Sequence, residues 1–213
     1  MKEFIDLFMV AIILINFLLI SFSYIPNCIR IVAFQGVLIG ILPLIFPDHS
    51  MEWKTYFICF GTLALKGGIF PYLLFRALKK GSIRQEVEPF IGYKTSMLVT
   101  LIALFIAFWV SNKLTIPEEV PALLPVVSLF TTFVGLFIIF SRVKAITQVL
   151  GYLVMENGIY LFSFAFLIEQ PLIVELGTLL DVFVAVFVMG ITIFYIHREF
   201  DHMNTKKLSI LKD

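Results

Sequence analysis

The chain has 213 residues, of which 60% are hydrophobic and only 15% charged, with a mean hydropathy of +1.01. A soluble domain of that length covers its surface with far more charge, so the composition predicts an all-α, polytopic integral membrane protein. Sixteen basic and 15 acidic residues leave a net charge of +1 and no bulk basic field for nucleic acid. Cys28 and Cys59 cannot supply a four-thiolate iron–sulfur or zinc site. His49, His197 and His202 fall outside the apolar cores, against a haem held between helices.

A bilayer core takes about 20 apolar residues per helix. Seven stretches meet this in chain order: roughly 4–24, 29–46, 55–78, 95–112, 121–140, 146–167 and 172–195. The first is too long for a signal peptide, and no small-residue cleavage site follows it before Pro26. The second is the shortest, with Pro43 expected to kink its end. Helix breakers punctuate the connections at Pro26-Asn27, Pro47-Asp48, Pro117 to Pro121 and Gln170-Pro171. The stretch from Lys79 to Lys94 is the one sizeable loop and reads as solvated, with docking of a cytoplasmic partner as its alternative. The division is a four-helix region over residues 1–120 and a three-helix core with a short tail over 121–213.

Lysine and arginine set an orientation. One side of this arrangement collects Arg30, Arg76, Lys79, Lys80, Arg84, Lys94, Arg142, Lys144, Arg198, Lys206, Lys207 and Lys212. The other has Lys2, Lys54 and Lys113, a ratio of 12 to 3 with Lys66 set aside. The positive-inside rule then predicts an outside amino terminus and a cytoplasmic tail in the cell membrane.

Three ionisable residues fall inside spans rather than at their ends: Lys66, Glu156 and Asp181. At 1.5 Å per residue each is roughly 14–17 Å from its helix end, where a charge costs about 2.5–3.5 kcal/mol on insertion scales. Two readings account for them. They form a buried ion pair or carboxyl hydrogen bond that locks helices together, or they exchange protons at one depth. Tyr152, Tyr160 and Ser163 share the helical stripe of Glu156, and Thr178 that of Asp181. Gly67, Gly68 and Pro71 follow Lys66, and together they predict a helix break beside it. Glu175, in the first turn of the seventh span, reads as a capping carboxylate or as relay support. Asn16 and Gln35 read as interhelical glue, and Ser128, Thr131, Thr132 and Gly135 as a packing seam. No nucleophile–base, metal-ligand or phosphate-cradling motif is present, so the chain is not expected to be an enzyme by itself.

The segment Gly151-Tyr152-Leu153-Val154-Met155-Glu156-Asn157-Gly158 resembles the GYxxMENG signature of component E of hydrogenase-4. The block Glu175-Leu176-Gly177 with Asp181 and Ala185-Val186 is similar to that family's next helix. Lys66 with Pro71 resembles its buried lysine and proline, and the tail from Asn204 to Lys212 its amphipathic ending. This resemblance spans nearly the whole chain. It implies a non-catalytic membrane-arm subunit of a formate-hydrogenlyase-type complex related to respiratory complex I. Its last three helices would be similar to the K subunit of complex I. In that alignment the K subunit's sixth-helix carboxylate falls on Leu153, one turn before Glu156, while Asp181 matches the seventh-helix carboxylate. The implied partners are antiporter-like membrane subunits and a cytoplasmic hydrogenase module. Those partner chains would hold the nickel–iron centre and the iron–sulfur clusters, and this chain none.

The leading expectation is that Lys66, Glu156 and Asp181 belong to a midplane path for H⁺ or Na⁺, with Tyr152, Tyr160, Thr178 and Glu175 in support. The alternatives are a purely structural scaffold of such a complex and a subunit of a multisubunit Na⁺/H⁺ antiporter.

Overall fold

The computed structural model describes residues 2–45, 60–80, 87, 90–114 and 120–166. Over these residues the chain is helical and contains no β-strand. Helices α1 (Lys2–Ser21) and α2 (Ile25–Ile45) open the fold. A third helical segment runs from residue 60 and ends in α3 (Phe70–Lys80). Then follow α4 (Tyr93–Ser111), α5 (Leu123–Ser141) and α6 (Ala145–Phe166). The seventh predicted span, 172–195, lies outside the described residues.

Among the described residues three helical stretches are long and apolar enough to cross a membrane: Ile25–Leu42 within α2, α4 and α5. The apolar run in α1, Ile5–Ser21, is shorter. The predicted boundaries differ most at α2, which is 21 residues long and exceeds α1 at 20. The expectation of a shortest second span is therefore corrected. Pro26 starts this helix rather than closing the previous one, because the first turn needs no N–H from it. The N–H groups of Asn27 and Cys28 donate to the Tyr24 carbonyl at 3.0 and 3.2 Å.

Helices α5 and α6 make the closest pair, and three glycines explain why. A Cβ at Gly135 would strike the Met155 backbone, and one at Gly158 the Thr132 backbone and hydroxyl. One at Gly151 would lie 2.9 Å from the Gly135 carbonyl. Small residues let two backbones approach where lipid offers no hydrophobic drive to bring them together. The hydroxyls of Ser128 and Thr132 donate back to the Pro125 and Ser128 carbonyls, both at 2.8 Å, so each finds an acceptor within its own helix.

Helices α1 and α4 pack on α5, while α2 packs on α6 and on the third segment. Helix α4 turns only Ser96, Thr100, Ala107 and Ser111 inward. Its large residues, among them Leu98, Phe105 and Trp109, are exposed. Such a face suits acyl chains better than water.

Three connections meet at one end of the bundle. The Val87 N–H donates to the Ser23 carbonyl at 2.8 Å and the Phe90 N–H to the Ser141 carbonyl at 2.9 Å. Arg142 is buried at this corner, its guanidinium 5.7 Å from the Tyr93 ring centre. Burial pushes its pKa below the ordinary arginine range, and the nearby Tyr93 and Cys28 oppose that shift.

Substitution should separate glycines that serve packing from those that do not. Gly158→Val drives a side chain into backbone and is expected to cost at least about 1–3 kcal/mol. Gly61→Ala, where a Cβ meets nothing within 4 Å, should be neutral. Thermal unfolding of the two variants in the same detergent checks this.

Candidate functional site: a buried ion pair and its amide chain

The third helical segment does not run through Lys66 as an ordinary α-helix. Residues Leu65–Ile69 form a π-helical turn, closed by the Phe70 N–H donating to the Leu65 carbonyl. The sequence accounts for this locally. Gly67 and Gly68 soften the backbone, and Pro71 has no N–H to return to the preceding turn. Where Gly67, Gly68 and Pro71 predict a helix break, the segment instead stays helical and widens into a single π turn.

That turn lays Lys66 against α2. A Cβ at Gly36 would sit 2.8 Å from the Lys66 Cβ, and one at Gly67 would sit 2.7 Å from Val37. Glycine at both positions lets the lysine stem pass between the helices. The Lys66 ammonium then reaches α6, where its Nζ lies 2.7 Å from Glu156 Oε1, with the two side chains 4% and 3% exposed. The ammonium also lies 5.1 Å from the centre of the Tyr160 ring, within range of a cation–π attraction. Glu156 and Tyr160 reach it from one stripe of α6, four residues apart.

A second set of groups extends from Lys66 through the neighbour of Glu156 on α6. Its Nζ donates to Asn157 Oδ1 at 3.0 Å. Asn157 Nδ2 donates to Gln35 Oε1 at 3.4 Å, and Gln35 Nε2 to Asn16 Oδ1 at 3.0 Å. Asn16 Nδ2 ends the run on Thr131 Oγ1 at 2.8 Å. All of these side chains are buried. The chain therefore joins α6, α2, α1 and α5 through consecutive polar contacts.

Three of the polar groups share a level along their helices. Gln35 is ten residues from Ile25, Thr131 ten from Ser141 and Glu156 eleven from Ala145. Each is therefore about 15–17 Å from the end where the connections meet. Beside Lys66 and Asn157 is a void of about 10 Å³, walled by Val32, Ala33, Pro71 and Leu153. That is close to the smallest space one water can occupy.

Of the residues singled out from the sequence, the structure brings Lys66, Glu156 and Tyr160 together, with Gly67 and Pro71 beside them. Gly68 lies in the π turn facing open space. Tyr152 is half-buried one turn before Glu156, and the Ser163 hydroxyl donates to the Ile159 carbonyl at 3.0 Å. Asp181, Thr178 and Glu175 lie outside the described residues. Sequence reasoning assigned no part to Asn157 and did not connect Asn16, Gln35 and Thr131 to the lysine. The available signal was that Asn157 directly follows Glu156, while Asn16 and Gln35 are amides in mid-span. Among the described residues no three His, Cys, Asp or Glu side chains converge as metal ligands would.

These features define a class: an all-helical protein with helices of membrane-crossing length, built around a buried lysine–glutamate pair. No family model matches the chain, and no solved structure matches it. It is 30% identical over 192 residues to the uncharacterized protein Rv0085 of Mycobacterium tuberculosis. That match covers 87% of this chain and 85% of the relative. The chain belongs to the family of that protein.

Removing one partner of a buried pair strands the other charge, a loss of about 3–5 kcal/mol. Lys66→Met and Glu156→Gln are each expected to destabilise the protein by that order. The double variant Lys66→Met/Glu156→Leu should recover much of the loss. Unfolding midpoints of the three variants in detergent give the coupling directly.

Proposed function

We propose that the protein is a non-catalytic membrane-arm subunit of a hydrogenase-4-type, complex I-related oxidoreductase. In this reading it spans the membrane seven times, with its amino terminus outside and its tail in the cytoplasm. The observation that carries the proposal is the Lys66–Glu156 contact, 2.7 Å long and buried. It puts two ionisable groups at a depth where carrying charge is expensive. Chains keep such residues for ion pathways more readily than for packing alone. Asp181 would continue the pathway on the seventh helix, with Thr178 and Glu175 near it and Tyr152 and Tyr160 flanking Glu156. The likeness of residues 151–158 to the hydrogenase-4 signature supports the assignment to that complex.

The connections support the proposed orientation. The turn after α1, Val87 and Phe90, and the corner at Ser141 meet at one end through backbone hydrogen bonds. Charge counting assigns all three to the cytoplasmic side.

A second reading, the structural scaffold, draws on the amide chain. Hydrogen bonds from Lys66 to Thr131 tie five helical segments together, which would lock a subunit into shape without moving ions. A subunit of a multisubunit Na⁺/H⁺ antiporter is the third.

The first test is the company the protein keeps. Tagged protein extracted in mild detergent is expected to co-purify with antiporter-like chains and a nickel- and iron-containing hydrogenase module, read by mass spectrometry and metal analysis. Antiporter-like chains without nickel would favour the antiporter reading, and the protein alone would refute membership of any such complex. Within the purified complex, Glu156→Gln is expected to permit assembly and abolish proton movement. Undiminished proton movement would leave the scaffold reading.

A further inference from the structure

The corner where the connections meet holds a second buried charge, remote in kind from the Lys66–Glu156 pair. Arg142 is 3% exposed. Among the described residues no carboxylate pairs with it: the groups that favour its charge are Tyr93 and Cys28, and Tyr93 offers a ring face 5.7 Å away rather than a counter-charge. Its Nη1 is buried without a hydrogen-bond partner, and so is the hydroxyl of the preceding residue, Ser141. Taking a cation out of water without pairing it is costly. The helix ends do not supply the balance. Arg142 caps the carboxyl end of α5, which favours a positive charge, but stands three residues before the amino end of α6, which opposes one. Two orphan donors on adjacent residues, one of them charged, call for an anionic acceptor.

Depth and surroundings narrow the source of that acceptor. Helix α5 has 19 residues, about 28 Å at 1.5 Å per residue, close to the thickness of a bilayer's hydrocarbon core. Arg142 is the residue that follows, at the level of the lipid headgroups. Tyr93, the first residue of α4, marks the same level from a neighbouring span, and tyrosine is enriched there. Close to Arg142 in the chain, Phe140 and Val143 are exposed, as is Phe90, which gives an apolar surface suited to the upper parts of acyl chains. Beside the arginine is a cavity of about 20 Å³, walled mainly by Leu19, Phe22, Ile138 and Leu150. That space takes one water-sized atom, such as a single oxygen of a phosphate whose remainder stays outside, and is too small for an entire free phosphate. A guanidinium matches phosphate oxygens better than any other side chain. A choline phosphate already carries its own cation, so the charge that Arg142 lacks must come from a headgroup that is negative overall.

We propose that Arg142, with the Ser141 hydroxyl next to it in the chain, is a binding site for the phosphate of an anionic phospholipid. The headgroup supplies the charge that makes the buried guanidinium tolerable and ties the junction of α5 and α6 to the membrane surface. This rests on the helices crossing a membrane and is independent of the ion pair and of membership of any complex.

The experiment is a lipid titration of the full chain in a neutral maltoside detergent, with bound lipid counted by native mass spectrometry. Phosphatidylglycerol is expected to bind saturably, and phosphatidylcholine more weakly. Arg142→Gln should weaken phosphatidylglycerol binding by about tenfold or more, the loss of a charge-assisted hydrogen bond. It should still fold, because it removes an unpaired charge, and in lipid-free detergent its unfolding midpoint is expected to equal or exceed that of the natural chain. Arg142→Lys keeps the charge without the planar fork and should fall between the two. Arg30→Gln removes an exposed arginine of α2 and should weaken binding by no more than about threefold. The proposal is overturned if Arg30→Gln weakens binding as much as Arg142→Gln, which would mark general charge attraction, or if both lipids bind alike. Displacement of the lipid by millimolar inorganic phosphate would assign the site to a free anion and overturn the membrane source. Equal phosphatidylglycerol binding by the natural chain and Arg142→Gln would also overturn it. The counter-charge would then be a carboxylate, either of another chain or of Glu86 or Glu88, which flank Val87 in the sequence and lie outside the described residues.

Discussion

A lysine and a glutamate held 2.7 Å apart and almost wholly removed from solvent impose conditions that much of the bundle meets. Each charge is costly in a low-dielectric interior and becomes tolerable only when its partner and its remaining hydrogen bonds are present together. The lysine must cross from one helix to another, so its stem needs an opening, which Gly36 and Gly67 supply. Its backbone must turn it toward α6, which the π turn at Leu65–Ile69 does. The glutamate must be held in place, and the close approach of α5 to α6 through Gly135, Gly151 and Gly158 fixes its helix. Small residues and a helix defect that look unrelated along the chain thus serve one contact.

Helix α6 meets the ammonium with three side chains: Glu156 and Tyr160 from one stripe, and Asn157 beside them. From Asn157 a run of amides crosses α2 and α1 and ends on the Thr131 hydroxyl of α5. Amides can orient and polarise a neighbouring charge.

How far the sequence anticipated this depends on how locally each feature is encoded. Six helical segments were legible because each is a long apolar run bounded by charge or proline. The error at α2 arose because Pro26 reads equally well as a stop or as a first-turn residue, and only the backbone hydrogen bonds to Tyr24 decide between them. Lys66, Glu156 and Tyr160 were legible because a charge in mid-span is conspicuous, and because four-residue spacing puts the tyrosine beside the glutamate. That Lys66 touches Glu156 is a tertiary fact between residues 90 positions apart, which no local pattern encodes. The amide chain was harder still. Asn16 and Gln35 are individually ordinary helix-interface residues, and their meaning lies in the order and sense of four hydrogen bonds across helices.

The central claim is that Lys66 and Glu156 are charged in the interior and depend on each other to be so. Infrared spectroscopy of the reconstituted protein tests it most directly, with the Glu156 bands assigned by difference against Glu156→Gln. The account predicts a carboxylate for Glu156 at neutral pH in the natural protein and a protonated carboxylic acid once Lys66 is replaced by methionine. A protonated Glu156 with Lys66 in place, or a carboxylate that persists without it, would contradict the account.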